Sequence, residues 1–281
     1  MKLNDKNFPG LIIAFIFAVV FVSCSNEEQT IIRNNTSTSA NILCEYANIH
    51  NSGLDYIKSE VQKNHNKCTK KHLNEVLDEY VIGVYGKDSA QKIMQEIAPI
   101  EKRLFNGNIP SLAQTRGSVI TNIANTAANE CMDKIKNHLS DFEDDEIFDN
   151  KHLLEELHLI ICKTYGAYVS KCSSDTEKQN LVQALGVLYG SIEYWTNSEN
   201  VDYWSKIKME NDEDISSEYV YTRETTENTK KDESSKKLSK ADYITVIAAA
   251  DTAGSFLGAA IASGPAAVAA SAAAALYFDV E

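Results

Sequence analysis

Proline is nearly missing from this chain, with four in 281 residues, and glycine is sparse at twelve. Long stretches without breakers argue against a many-turned β-sandwich and favour helix. An excess of positive charge is also missing. Twenty-seven lysines and arginines face 40 acidic residues, a formal net charge of −13. Such a surface repels phosphate backbones and anionic headgroups, so no nucleic-acid partner is expected. The sequence signatures of catalysis are lacking too: no G-x-S-x-G, no phosphate-binding glycine loop, no H-E-x-x-H, no C-x-x-C and no dinucleotide-binding glycine string. No catalytic residue, metal or cofactor is expected.

Charge is absent from one place near the N-terminus. Lys2 and Lys6 precede twelve consecutive apolar residues, Leu11 to Val22, followed at once by Ser23 and Cys24. Twelve helical residues rise about 18 Å, too short for a hydrocarbon core of about 30 Å but right for the apolar part of a signal peptide. A buried globular helix would show a polar face, and this run has none. The small residue Ser23 before Cys24 resembles the lipobox of bacterial lipoproteins. That resemblance implies cleavage before Cys24, a diacylglycerol on its thiol, and a membrane partner reached through that lipid. Ser25-Asn26-Glu27-Glu28-Gln29 is similar to the short acidic signals that send some lipoproteins to the outer face of the outer membrane. Surface display is the expectation from it, and a periplasm-facing anchor the alternative. No family resemblance is drawn from the residues after this signal.

Residues 1–23 are therefore expected to be a signal peptide and 24–40, small and polar, a flexible tether. The removed peptide carries Lys2, Lys6 and Asp5, so the remaining 258 residues hold a net −14. The expected fold class is all-α: a multi-helix bundle over 41–208, a disordered polar linker over 209–240 and an Ala/Gly-rich helical hairpin over 241–281.

Within 41–66, two apolar stripes separated by Asn51-Ser52-Gly53 predict a short helical hairpin. It would bring Cys44 and Cys68 to one end, a candidate disulfide. Leu73, Val76, Leu77, Tyr80, Val81 and Val84 follow helical spacing, and Gly86 closes that helix as a C-terminal cap. Pro99 is expected to kink or end the next helix near Ala98. Ser111 and Gln114 open a long helix to about 139. An acidic loop, 140–150, precedes a helix over 151–171, buried through Leu154, Leu157, Ile161, Tyr165 and Tyr168. Ser174 and Glu177 cap a further helix with Leu181, Leu185, Leu188, Ile192 and Trp195 inward. The stretch 209–240 is almost wholly polar and cannot bury enough apolar surface to offset its ordering entropy.

From Thr252 to Phe278 no charge occurs in 27 residues. Gly254 and Gly258 form a GxxxG, a helix-association face where backbones approach closely, and Ser263-Gly264-Pro265 divides the run into two short helices. The segment either packs on the bundle or enters a membrane. Alanine gains little from lipid and Asp251 adds a cost, so packing is expected.

Other groupings read as surface. Asp149, His152, Glu155 and His158 fall on one helix face, and Glu155-xx-His158 has the spacing of di-iron bundles. No second such pair exists, so a solvated face is expected. The six histidines lie mostly on polar faces. The other five cysteines are expected to be buried thiols for the most part, though Cys131, Cys162 or Cys172 could be imagined as a nucleophile. Asp88-Ser89-Ala90, and more weakly Asp251-Thr252-Ala253, resemble the three-residue pattern O-glycosylated in some envelope proteins, which makes Ser89 a candidate site. The expected function is a surface-displayed, non-enzymatic interaction module with a protein or glycan partner. The alternative is a membrane-active, bacteriocin-like or toxin-type protein acting through the C-terminal segment.

Overall fold

The computed structural model describes residues 33–65, 67–104, 122–209, 236–257, 263–276 and 278–280. Its first helix, α1 (Arg33–Lys63), is continuous for 31 residues. Two expectations are corrected here. Residues 33–40 belong to the helix rather than to a flexible tether, because they contain no breaker and extending a helix costs far less than starting one. Nor is there a hairpin at Asn51-Ser52-Gly53. A Cβ on Gly53 would lie 2.6 Å from Val268 Cγ2 and 3.1 Å from a Tyr80 ring carbon. That glycine marks a close helix crossing, not a turn.

The remaining helices follow the apolar periodicity. Thr69 caps α2 (Lys70–Tyr85) by accepting from the His72 N–H at 3.1 Å, and Gly86 ends it at φ 75°. Helix α3 (Lys87–Leu104) continues through Pro99, so it does not end near Ala98. Pro99 and Gln95 are both exposed, so the Gln95 carbonyl that loses its helical partner can bond to water. Helix α4 (Asn122–Leu139) leads through a 3₁₀ turn (Asp144–Glu146) to α5 (Lys151–Val169). Helix α6 (Asp175–Trp195) starts at the expected cap: the Glu177 N–H donates to Ser174 Oγ at 3.2 Å, while the Glu177 carboxylate accepts from Ser173 Oγ at 2.8 Å. A short α7 (Ser198–Ser205) follows.

The C-terminal segment forms α8 (Lys240–Leu257) and α9 (Ser263–Ala275). These two pack most extensively on each other; α8 also lies against α6 and α4, and α9 against α1 and α3. Every residue from Gly264 to Ala275 is buried, as is every residue from Ala250 to Phe256. The hairpin is therefore not appended to the bundle. It is the centre around which amphipathic helices turn their apolar stripes. Two two-residue-to-three-residue parallel pairs tie the ends: β1 (Lys67–Cys68) with β2 (Lys208–Met209), and β3 (Lys236–Leu238) with β4 (Phe278–Val280). Lys236–Leu238 falls within the stretch expected to be linker, so that linker ends earlier than expected. Residues 210–235 lie outside the described residues.

Candidate functional site

Ala-rich helices can be packed only where neighbouring backbones come close, and glycines at two helix contacts show how. A Cβ on Gly254 of α8 would stand 2.6 Å from Ala270 Cβ and 2.7 Å from the Ala266 carbonyl of α9. On α6, Gly186 and Gly190 do the same toward α1: a Cβ would meet Tyr46 Cβ at 2.7 Å and Ala47 Cα at 2.7 Å, respectively. The expected association face is thus occupied at Gly254 within the protein, while Gly258 lies outside the described residues. The second GxxxG, Gly186-xxx-Gly190, was legible in the sequence as spacing but is masked by the apolar stripe around it.

One group in the hairpin is not small or apolar. Asp251 is fully buried, and it gathers polar side chains from three other helices. Its Oδ2 accepts from Ser191 Oγ of α6 at 2.6 Å and from Ser271 Oγ of α9 at 3.0 Å. His50 Nε2 of α1 lies 3.2 Å from the same oxygen, at ion-pair distance but not aligned as a hydrogen bond. Ser271 Oγ in turn accepts from Trp195 Nε1 at 3.1 Å. The cluster reaches outward through His50 Nδ1, 2.9 Å from Asn51 Oδ1, and through Asn51 Nδ2, which donates to Glu193 Oε2 at 3.2 Å. Asp251 Oδ1 is buried without a hydrogen-bond partner. His50 is thus not on a polar face, as its sequence neighbours suggested; both it and its carboxylate partner are at 0% exposure.

Serine, histidine and aspartate together invite a catalytic reading, and the connectivity argues against it. A nucleophilic serine must give its proton to histidine, with aspartate behind the ring. Here Ser191 bonds the aspartate, and the aspartate stands between serine and histidine. The same three residues are sealed from solvent. What the arrangement can do is pin α8 to α1, α6 and α9 at one point.

The other candidates fall as follows. Cys24 lies outside the described residues. Ser89 is exposed on the first turn of α3, open to modification. Thr252 is fully buried, its hydroxyl donating to the Ala248 carbonyl at 2.7 Å, which removes it as an acceptor in the folded protein. No disulfide joins Cys44 to Cys68. With α1 unbroken, Cys44 sits nineteen residues, about 29 Å of helix, before the end at Lys63. A disulfide needs Cα atoms within about 7 Å.

The Asp149–His158 face is not uniformly solvated. His152 and Glu155 are exposed, and Asp149 caps α7 by accepting from the Ser198 N–H at 3.1 Å. His158 instead stacks on Tyr189, ring centroids 3.6 Å apart, and burial holds its imidazole down to about 4. Among the described residues no three His, Cys, Asp or Glu side chains gather as a metal ion would need. Burial pushes the Cys131 thiol up to about 12 and the Cys162 thiol up to about 11, the opposite of an activated nucleophile. Comparison of the chain with protein-family models, with curated proteins and with solved structures finds no match.

Proposed function

We propose that this protein is an exported, lipid-anchored helical module that works by binding a protein or glycan rather than by catalysis, displayed at the outer membrane. The observation that carries the reading is how the chemically capable groups are used. The Ser191–Asp251–His50 cluster is sealed in the core, His158 is held neutral against Tyr189, and Cys131 and Cys162 are held as thiols. Support for the address comes from Leu11 to Val22 ending at Ser23-Cys24, and the net negative charge favours partners other than nucleic acid. Changing Cys24 to Ala should abolish incorporation of labelled fatty acid and leave uncut precursor. Protease added to intact cells should trim the wild-type protein. Undiminished labelling of the variant would remove the anchor, and protection in intact cells would place the domain inside the envelope.

A second reading has its own support. A hairpin without charge from Thr252 to Phe278, packed among amphipathic helices, is an arrangement that could turn inside out at a bilayer. Among the described residues no helix is long and apolar enough to cross a membrane, and alanine contributes little transfer energy. Lipid-free protein that stays in solution beside neutral liposomes supports the binding module. Flotation with them through residues 241–281 would favour membrane action.

A further inference from the structure

We propose that His50 and Asp251 form a proton-sensitive latch that holds the C-terminal hairpin inside its sheath of helices. The inference concerns what keeps the hairpin in place and is independent of which partner the protein serves. The apolar contacts of α8 and α9 are made by alanine, valine, isoleucine and aromatic side chains, and none of them depends on pH. The latch is different. Among the described residues His50 is the ion-pair partner of Asp251, the two hydroxyls of Ser191 and Ser271 complete its contacts, and Glu193 is reached only through Asn51.

Hydrogen-bond roles fix the proton count. Asn51 Nδ2 donates to the Glu193 carboxylate, which can only accept, so Asn51 presents Oδ1 to the ring. His50 Nδ1 therefore carries a hydrogen. On the other side of the ring, Nε2 faces Asp251 Oδ2 at 3.2 Å. A bare nitrogen lone pair against a carboxylate would repel, so the pair carries one further proton, on the ring or on the carboxyl. With that proton the pair is neutral overall. Adding a second leaves a buried cation without its anion, and removing the first leaves a buried anion without its cation. Each state is costly at zero exposure. The pair is also a poor device for strength alone, since Oδ1 lacks a partner and an apolar side chain there would hold as well. Its distinctive property is that it holds only with one proton present.

Amide hydrogen exchange of the full chain tests this, read on residues 243–256 and 264–275 and corrected for the intrinsic pH dependence of exchange. In the wild type the hairpin should exchange faster in acid than at neutral pH. His50→Gln should speed its exchange at neutral pH on the order of a hundredfold, the effect of stranding a buried charge. In that variant acid should slow exchange again, because the carboxylate then takes up the proton it lacks. The double variant His50→Gln, Asp251→Asn should lose both effects, retaining only the acid response of groups common to all forms, such as His158 and Glu193, whose carboxyl burial raises. Should His50→Gln fail to fold, the double variant alone decides: an acid response as large as that of the wild type overturns the latch. So would neutral-pH exchange of His50→Gln equal to wild type, or an acid rise in His50→Gln no smaller than that of the double variant. Simultaneous loss of protection in α2 and α5 would also overturn it, since global unfolding is not release of the hairpin.

Discussion

Replacing Gly254 with alanine and replacing Gly166 with alanine are the same chemical change on two helices, and they should act in opposite directions. In a helix interior alanine is favoured over glycine by about 0.5–1 kcal/mol, through lower chain entropy in the unfolded state. At Gly166 of α5, nothing lies within 4 Å of the added Cβ, so that gain should appear in full. At Gly254 the added Cβ would meet Ala270 Cβ at 2.6 Å and the Ala266 carbonyl at 2.7 Å. Ordinary carbon contacts fall near 3.5–4.0 Å, so α8 and α9 must separate by roughly 1 Å. Both are enclosed by α1, α3, α4 and α6, and a displaced helix would disturb each neighbour. Overpacking of this kind costs about 1–3 kcal/mol. After subtracting the propensity gain, Gly254→Ala should destabilise by up to about 2.5 kcal/mol. Urea denaturation followed by circular dichroism should show the Gly166 variant unfolding at higher urea than wild type and the Gly254 variant at lower urea, with similar slopes. In thermal melts each kcal/mol corresponds to about 2–4 °C for a chain of this size. Two stabilised variants would refute the close α8–α9 crossing.

Further outcomes follow from the buried groups. His158 is held down to about 4 from an ordinary 6.5, so the unfolded chain binds the extra proton first. Stability from this residue should be complete above about pH 6.5 and lost as the pH falls toward 4, on the order of 3 kcal/mol. His158→Phe should flatten that part of a pH–stability profile, and an unchanged profile would contradict the Tyr189 stack. Cys131 and Cys162, with thiols pushed up to about 12 and about 11, should react with a thiol reagent only after denaturant is added; rapid labelling of the native protein would show them accessible.

Much of the architecture was written in local pattern. The stripe Leu73 to Val81 is buried as its spacing required, Gly86 closes α2 with positive φ, and Ser174 with Glu177 opens α6. These features depend on side-chain period and on which residues satisfy the free ends of a helix, and both are set within a few residues of chain. What tertiary structure decided was the meaning of residues whose local role is ambiguous. Gly53 could end a helix or let another approach, and only the arrival of Val268 chose between them. Pro99 is tolerated inside α3 where Gln95, whose carbonyl it orphans, is exposed. Thr252 looked modifiable until Ala248 and the surrounding helices covered it. The pairing of His50 with Asp251 spans 201 positions of sequence. Neither residue carries a local sign of it, because a buried charge is tolerated only where distant side chains converge to compensate it.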